Sequence, residues 1–279
     1  SHLHPTAQRL IYADVTVTLN TIAVVMTLSS QPHLSLHVRN LKVVLETPCW
    51  AALSKTVYRA LAQSLSGMTR LISLSIHIPK EQSSVLPGET SSTFPELRIL
   101  RASFDLDDHV ATFLTKAPGL VALELDEVCD NTCPTFSDLP SHVIPDLSSF
   151  SGTSRAARSL VPGRPVSSIL ITSDDLTTDM ITALSLGSSL PITTFSGTTP
   201  CPPTSILAAL ATEMPELEYV RLGICSDQWG RDLYDECIVV LCRILASMQF
   251  LRSVMVSGLY WRWRIMDSKR VLTSKPCAP

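Results

Sequence analysis

Three stretches of the sequence repeat one pattern of large apolar residues: FPELRILRASF at 94–104, APGLVALELDEV at 117–128 and MPELEYVRLGIC at 214–225. Each stretch holds an LxxLxL spacing, in which the last two apolar residues alternate with a residue that can face the other way. A strand that buries one face shows this alternation. The pattern therefore predicts short strands that share one core.

The same spacing recurs along most of the chain, which indicates a repeat protein. Two more close copies begin at Leu71 and Leu251, and weaker copies begin at Val38, Leu147, Val166 and Ile192. The first positions of all nine copies are 19 to 34 residues apart. Most of these intervals lie within or near the ~20–29 residues of a leucine-rich repeat.

Segments with helical periodicity lie between the predicted strands. They are 50–65, 107–117, 174–186, 202–214 and 232–248. Two of them, 107–117 and 174–186, open with two adjacent carboxylates, and 202–214 opens with prolines. Both suit the first turn of a helix. We therefore expect an α/β fold, an irregular leucine-rich-repeat-like solenoid or horseshoe with parallel strands on the concave face and helices on the convex face.

The repeats depart from the regular pattern at one position. Eight residues after the first leucine, regular repeats hold Asn or Cys, and among these copies only Cys225 fits. The horseshoe should therefore be irregular. We expect one domain over 1–279, with a lead-in segment at 1–36, repeats at 37–259 and a C-terminal cap or tail at 260–279.

Composition excludes several classes of protein. Of the 279 residues, 45% are hydrophobic and 17% are charged, with a net charge of −3, so a disordered chain is excluded. The chain lacks the excess of basic residues that would favour binding to nucleic acid. The longest apolar run near its start, IAVVM at 22–26, is too short to cross a bilayer. The chain starts at Ser1, so we expect a processed chain or a fragment, and it shows no signal peptide. Its cysteine content fits a reducing, intracellular location, cytoplasmic or nuclear.

Sequence motifs for phosphate binding, metal binding or catalysis are weak or missing. No phosphate-binding loop or HExxH motif occurs, and the seven histidines show no metal spacing. Cys129 and Cys133, in CDNTC, are a possible zinc-ligand pair but lack a second pair, while Cys237 and Cys242 should pack in a helix. The acidic clusters at 105–109 and 173–179 could form carboxylate pairs or bind calcium, but helix capping explains them better. We expect no metal, no cofactor and no enzymatic activity.

The tail YWRWRIMDSKR at 260–270 mixes aromatic and basic residues. Stacking on nucleic-acid bases is one interpretation. The favoured one is that Trp261 and Trp263 cover the exposed end of the solenoid, because a last repeat has no neighbour beyond it.

A family resemblance follows from longer segments. LHPTAQRLIYADVTV at 3–17 resembles the segment that follows an F-box in basidiomycete fungal F-box proteins. The segments at 94–126 and 144–177 look like the degenerate leucine-rich repeats of the same group. The F-box itself is not in these residues. The resemblance implies the substrate-receiving half of an F-box-type ubiquitin ligase, which would bind a cullin-type ligase adaptor only through the missing F-box.

The function that we expect is protein–protein recognition on the concave face. A scaffold or adaptor unrelated to ubiquitin and a cysteine-dependent enzyme remain alternatives. Residues that alternate with the core positions should line the binding face, and Tyr and Arg are enriched among interface hot spots. The candidate site residues are His77, Arg101, Glu124, Asp126, Tyr219 and Arg221. The competing interpretation is that the charged ones only solvate the face and pair across strands.

Overall fold

The structure is a computed structural model of the chain. It describes residues 3–45, 55–88, 92–125, 139–173, 176–200, 202–224, 231–256, 259–266 and 269–276. The chain forms two compact units, residues 1–147 and residues 148–279.

The first unit alternates helices with parallel strands. Its strands are β1 (Asp14–Val17), β2 (Asn40–Val44), β3 (Ser73–His77), β4 (Ile99–Ala102) and β5 (Ala122–Leu125). Its helices are α1 (Leu3–Ala13), α2 (Ala23–Ser30), α3 (Pro32–Ser35), α4 (Lys55–Gly67) and α5 (Asp108–Thr115), with 3-10 turns at Leu19–Thr21 and Lys80–Val85. Each strand pairs in parallel with the next strand of the chain, so the order across the sheet is the order in the sequence.

The second unit repeats this arrangement and then changes it. Its parallel strands are β6 (Ser149–Gly152), β7 (Ser168–Ile171), β8 (Thr194–Thr199), β9 (Tyr219–Ile224) and β10 (Ser253–Val256). Its helices are α6 (Ser154–Leu160), α7 (Thr178–Gly187), α8 (Pro203–Glu213) and α9 (Arg231–Ser247). The strands β11 (Leu259–Met266) and β12 (Lys269–Pro276) follow without a helix between them and pair antiparallel, β11 with β10 and β12 with β11.

The strands bury one face, as the apolar alternation predicts. In the first unit, the middle apolar residues of successive strands pair with one another and form one buried row: Val15, Leu41, Leu74, Leu100 and Leu123. Their exposed fractions run from 0% to 7%. Burying a side chain of this size contributes roughly 1.5–3 kcal/mol of transfer free energy. This row therefore fixes which side chains of each strand are left on the opposite face.

A short turn before each strand explains the prolines that precede the leucines. In the stretches FPEL, APGL and MPEL, the leucine N–H donates to the carbonyl of the residue three positions earlier, at 3.2 Å in each case. Both apolar ends of the turn are buried, with exposed fractions of 0% to 3%. Proline suits the second position because its fixed φ fits such a turn. The turn therefore anchors the start of each strand in the core.

The α/β alternation and the parallel pairing that the sequence predicts are confirmed. Each of the nine LxxLxL copies contains a strand of the structure. The helices at 107–117 and 202–214 match α5 and α8, and the helix at 232–248 matches α9. The helix at 50–65 matches α4, although its first five residues lie outside the described part of the chain.

The acidic helix starts are confirmed at one of the two places. Asp107 caps α5, where its Oδ1 accepts a hydrogen bond from the Val110 N–H at 2.8 Å. At 174–186 the described helix α7 begins at Thr178 with Asp179 in its first turn, and the capping side chain is the hydroxyl of Thr177. Asp174 and Asp175 lie outside the described residues. The threonine hydroxyl can serve as the cap in place of a carboxylate, because it accepts a hydrogen bond from the Met180 N–H, which has no partner within the helix.

Candidate functional site

One row of side chains crosses the solvent-facing side of the sheet in the first unit. Strand register aligns Thr16, Lys42, Ser75, Arg101 and Glu124, one from each strand from β1 to β5. We call this set the polar row, and we call the solvent-facing side of the parallel strands in each unit its open face. These residues alternate with the buried row, so the core fixes their direction.

The last two residues of the polar row form an ion pair. Arg101 and Glu124 are register partners on β4 and β5. The Nε atom of Arg101 lies 2.9 Å from the Oε2 atom of Glu124. About half of each side chain remains exposed, 53% and 44%, so the pair contributes at most ~1 kcal/mol to folding. Its main effect is to fix the positions of both charged groups on the open face.

Strand β3 supplies the middle of the open face. The hydroxyl of Ser75 and the Nε2 atom of His77 are 3.0 Å apart and form a hydrogen bond. The two residues are two positions apart on one strand and therefore share a face. Ser73 lies on the same face, so β3 offers small hydroxyl side chains and one imidazole.

The small side chains of β3 leave a depression of about 530 Å³ on the open face. Its lining residues belong to β1 through β5 and are Asp14, Val15, Thr16, Asn40, Leu41, Lys42, Ser73, Ser75, His77, Arg101 and Glu124. At its margin the Asn40 amide donates to the Asp14 carboxylate at 2.5 Å. Lys42 makes no ion pair with any residue that the structure describes.

The second unit has a different open face. Tyr219 on β9 is 44% exposed and Leu170 on β7 is 41% exposed. Arg221 is exposed on the same face of β9, with Ser196 on β8 and Met255 on β10 as its register partners. This face therefore combines one cation with aromatic and aliphatic contact area.

The structure brings the predicted site residues together in two groups. His77, Arg101 and Glu124 share the open face of the first unit, and Tyr219 and Arg221 share that of the second. Asp126 lies outside the described residues.

Residues of β1 and β2 that line the depression were not predicted. Lys42 and Asn40 alternate with Leu41 and Val43 of a weak LxxLxL copy, and this spacing could have identified them. Asp14 alternates in the same way with Val15 of β1.

The described residues include side chains of metal-ligating types and a thiol. None of their His, Cys, Asp and Glu side chains come together in a group of three or more that could hold a metal ion. The thiol of Cys242, on α9, is free and half-buried. The possible ligand pair Cys129 and Cys133 lies outside the described residues, as does the side chain of Cys237.

Comparison with known proteins adds no relationship: no family model matches the chain, and no curated protein matches its sequence. Within the described ranges, none of the helices has the length and apolar character needed to cross a membrane.

Proposed function

We propose that this chain is a non-enzymatic recognition module that holds a partner protein on the open face of its sheet. The observation that carries the proposal is the exposure of Tyr219. Its side chain is 44% exposed, whereas Val220 and Leu222 on the same strand are 4% and 1% exposed. The backbone beneath the ring is thus held by a packed core. Tyrosine is one of the residues that are enriched at binding hot spots.

The surroundings of Tyr219 support the same function. Its register partners are Thr194 and Ser253, which are small and polar. A partner could therefore reach the ring from either side without displacing large side chains. Arg221 follows on the same face and adds a charged group with several N–H donors. A preformed surface of this kind loses little conformational entropy on binding.

The specific form that we propose is the substrate receptor of an F-box-type ubiquitin ligase. Its support is the resemblance of residues 3–17, 94–126 and 144–177 to basidiomycete F-box proteins. The same proposal includes an intracellular location and a sheet that curves like an irregular leucine-rich-repeat horseshoe, with the open face on the concave side. Adaptor binding would require an F-box joined to these residues.

Affinity capture with matched variants tests the recognition function. The bait proteins are the wild-type chain, the double variant Tyr219→Ala/Arg221→Ala, and the control Phe250→Ala/Arg243→Ala. The control removes an exposed aromatic ring from the turn before β10 and an arginine from α9 of the same unit. Proteins captured from a basidiomycete lysate are quantified by mass spectrometry, and thermal melts confirm that each bait is folded.

We expect at least one protein to be retained by the control and lost from the open-face variant. A loss of ~1 kcal/mol or more for a hot-spot side chain corresponds to about fivefold weaker binding. Equal capture by all three baits would show that the partner does not bind at this face.

A reconstituted ligase tests the specific form of the function. The chain is fused after an F-box and combined with the adaptor, the cullin and the captured protein. Ubiquitin transfer that depends on Tyr219 and Arg221 is the expected result. Capture without ubiquitin transfer would favour the scaffold unrelated to ubiquitin.

A further inference from the structure

We propose that the depression over β3 binds the carboxylate of a single Asp or Glu side chain from an extended segment of the partner protein. The carboxylate would lie over Ser73 and Ser75, between Lys42 and Arg101. This inference rests on the proposed recognition function and adds the chemistry of the group that the first unit recognises.

Strand register creates the space for this group. Lys42 and Arg101 are the register partners of Ser75 on the two neighbouring strands. Adjacent strands are about 4.8 Å apart, so the Cα atoms of the two basic residues are separated by roughly 10 Å. Two long basic side chains with a short serine between them leave a gap of the width of one carboxylate. The Ser73 hydroxyl at its base can donate a hydrogen bond to an anion, and the Ser75 hydroxyl can do so when the Nε2–H of His77 donates to it.

The two basic side chains of the depression, Lys42 and Arg101, come from strands that lie between those of its two acidic residues. Lys42 has no ion-pair partner among the described residues. Arg101 contacts Glu124 through Nε, and the N–H groups of its Nη atoms are further donors. Hydrogen bonds from positively charged donors to a carboxylate are about twice as strong as those between neutral groups.

The acidic residues of the depression lie at its two margins and limit what can bind. Asp14 is on β1, where it accepts from the Asn40 amide, and Glu124 is on β5, paired with Arg101. A second acidic residue in the bound segment would lie near one of these carboxylates and be repelled. A phosphoryl group carries about −1.5 to −2 charges and would meet the same repulsion. The balance of charges therefore favours one carboxylate with neutral or basic neighbours.

Peptide titrations followed by NMR provide the test, because they detect weak binding. The ¹⁵N-labelled chain is titrated with a capped seven-residue peptide of Gly and Ser that carries Glu at its centre. Matched peptides carry Gln, Lys or phosphoserine there. We expect saturable shifts of the Lys42, Ser73 and Ser75 amide signals with the Glu peptide, at Kd values up to about 10 mM, and none with the Gln peptide.

Three outcomes would overturn the proposal. They are equal shifts with the Glu and Gln peptides, no shift at these amides at about 10 mM Glu peptide, and binding of the phosphoserine peptide about tenfold tighter than the Glu peptide. The last outcome would make the depression a phosphoryl site instead.

Variants of single residues provide a second, independent readout. Lys42→Ala should weaken binding of the Glu peptide about fivefold, and Lys42→Glu should shift the preference to the Lys peptide. Glu124→Gln should strengthen binding about twofold, because it releases the Arg101 guanidinium. Lys55→Ala, an exposed lysine on α4 of the same unit, is the control and should bind as the wild type does.

Unchanged binding by Lys42→Ala would contradict the proposal, and this exposed residue can be replaced without disturbing the core. The recognition function is tested separately, through Tyr219 and Arg221 of the second unit. Absence of carboxylate binding, with capture that still depends on Tyr219 and Arg221, would overturn only this inference. Equal capture by the wild type and by Tyr219→Ala/Arg221→Ala, with intact peptide binding, would overturn only the proposed function.

Discussion

Arg101 on β4 and Glu124 on β5 are opposite each other in the sheet, with the Nε atom of Arg101 2.9 Å from the Oε2 atom of Glu124. Pairing across strands, which is the competing interpretation of these charged residues, therefore does occur. Lys42, the other basic residue of the polar row, has no ion-pair partner among the described residues. The ion pair thus lies at one margin of the depression, and Lys42 lines the depression as a basic residue outside that pair.

The Arg101–Glu124 pair should contribute little to folding. We expect a double-mutant cycle with Arg101→Ala and Glu124→Ala to give a coupling free energy of at most ~1 kcal/mol, because both side chains are about half exposed. Urea unfolding of the four proteins measures it, and the coupling should shrink in ~1 M salt. A coupling of several kcal/mol that persists in salt would show that the pair is buried.

Leu123 should be essential for the stability of the first unit. Its side chain is 2% exposed, so Leu123→Ala should lower the free energy of unfolding by ~2–5 kcal/mol. Hydrogen exchange should also speed up in β4, its neighbour in the sheet, because each repeat buries its apolar face against the next. Leu170→Ala, at a 41% exposed position, is the control and should cost much less. Equal melting temperatures for Leu123→Ala and the wild type would mean that the strand register is wrong.

The carboxylate of Asp107 should matter more than that of its neighbour Asp108. Asp107 accepts from the Val110 N–H and from the Ser83 hydroxyl, which ties α5 to the preceding 3-10 turn. Asp107→Ala should therefore lower the free energy of unfolding by ~1–2 kcal/mol. Asp107→Asn should retain most of the wild-type stability, because asparagine also caps helices well. For Asp108→Ala, in the first turn, we expect a loss of ~0.3–1 kcal/mol from the helix dipole alone. Denaturant titrations measure all three, and equal losses at both positions would contradict the capping role.

Two glycines should respond differently to the same methyl group. A Cβ at Gly119 would lie 2.9 Å from the Pro95 carbonyl oxygen and 3.1 Å from the Arg98 Nη1 atom, whereas at Gly88 the nearest atom would be 3.7 Å away. Gly119→Ala should therefore cost ~1–3 kcal/mol through a clash with the backbone. Gly88→Ala should be neutral or stabilise the chain by up to ~1 kcal/mol. Thermal melts provide the comparison, and tolerance of alanine at Gly119 would mean that the turn before β5 is looser than described.

The hydroxyl of Tyr58 should be dispensable for folding. It is buried on α4, and no described residue forms a hydrogen bond with it. Tyr58→Phe should therefore leave the free energy of unfolding unchanged or raise it by up to ~1 kcal/mol. A loss of more than ~1 kcal/mol would indicate that the hydroxyl has a partner.

The same tyrosine should make stability sensitive to alkaline pH. Burial raises the pKa of Tyr58 above its ordinary value, so the unfolded chain loses this proton before the folded chain does. Its contribution to stability is present below pH ~10 and is lost as the pH rises through the raised value. The difference in unfolding free energy between Tyr58→Phe and the wild type should therefore grow above pH ~10. A difference that is constant with pH would contradict the raised pKa.

The strands could be predicted because their period is two and their apolar residues are large. Even copies with glycine in the third apolar position correspond to strands, as at Gly152 and Gly197. At Gly197 a Cβ would lie 3.2 Å from the Leu176 Cδ2 atom. The leucine thus occupies the space that a larger side chain would fill elsewhere, and the copy is weak for that reason.

Elements that carry little apolar periodicity were not predicted. Strand β1 has only four residues, DVTV, and lacks the leucine spacing. Helix α6, SRAARSL, is too short to show a helical period, and its start depends on the Thr153 hydroxyl, which accepts from the Ala156 N–H. In both cases contacts with neighbouring segments, rather than local pattern, stabilise the element.

Side-chain direction was predictable for the site, and so was one of its contacts. Alternation with the buried leucines identified His77, Arg101 and Glu124. Arg101 and Glu124 both come four positions after the first leucine of their copies, and strand register pairs them, as the competing interpretation of these charges expects. Lys42 was missed because its strand lies in a weak LxxLxL copy.

The reversal of direction at β11 affects how such a chain can change its length during evolution. Gene duplication of a strand–helix repeat adds a strand that pairs in parallel with the strand before it. β11 follows β10 and pairs with it antiparallel, and the Trp261 side chain is buried in this arrangement. A duplicated repeat can therefore extend the run of parallel strands before β11, whereas β11 and β12 pair antiparallel. Homologues of different length should share this antiparallel hairpin and differ in the number of repeats that precede it.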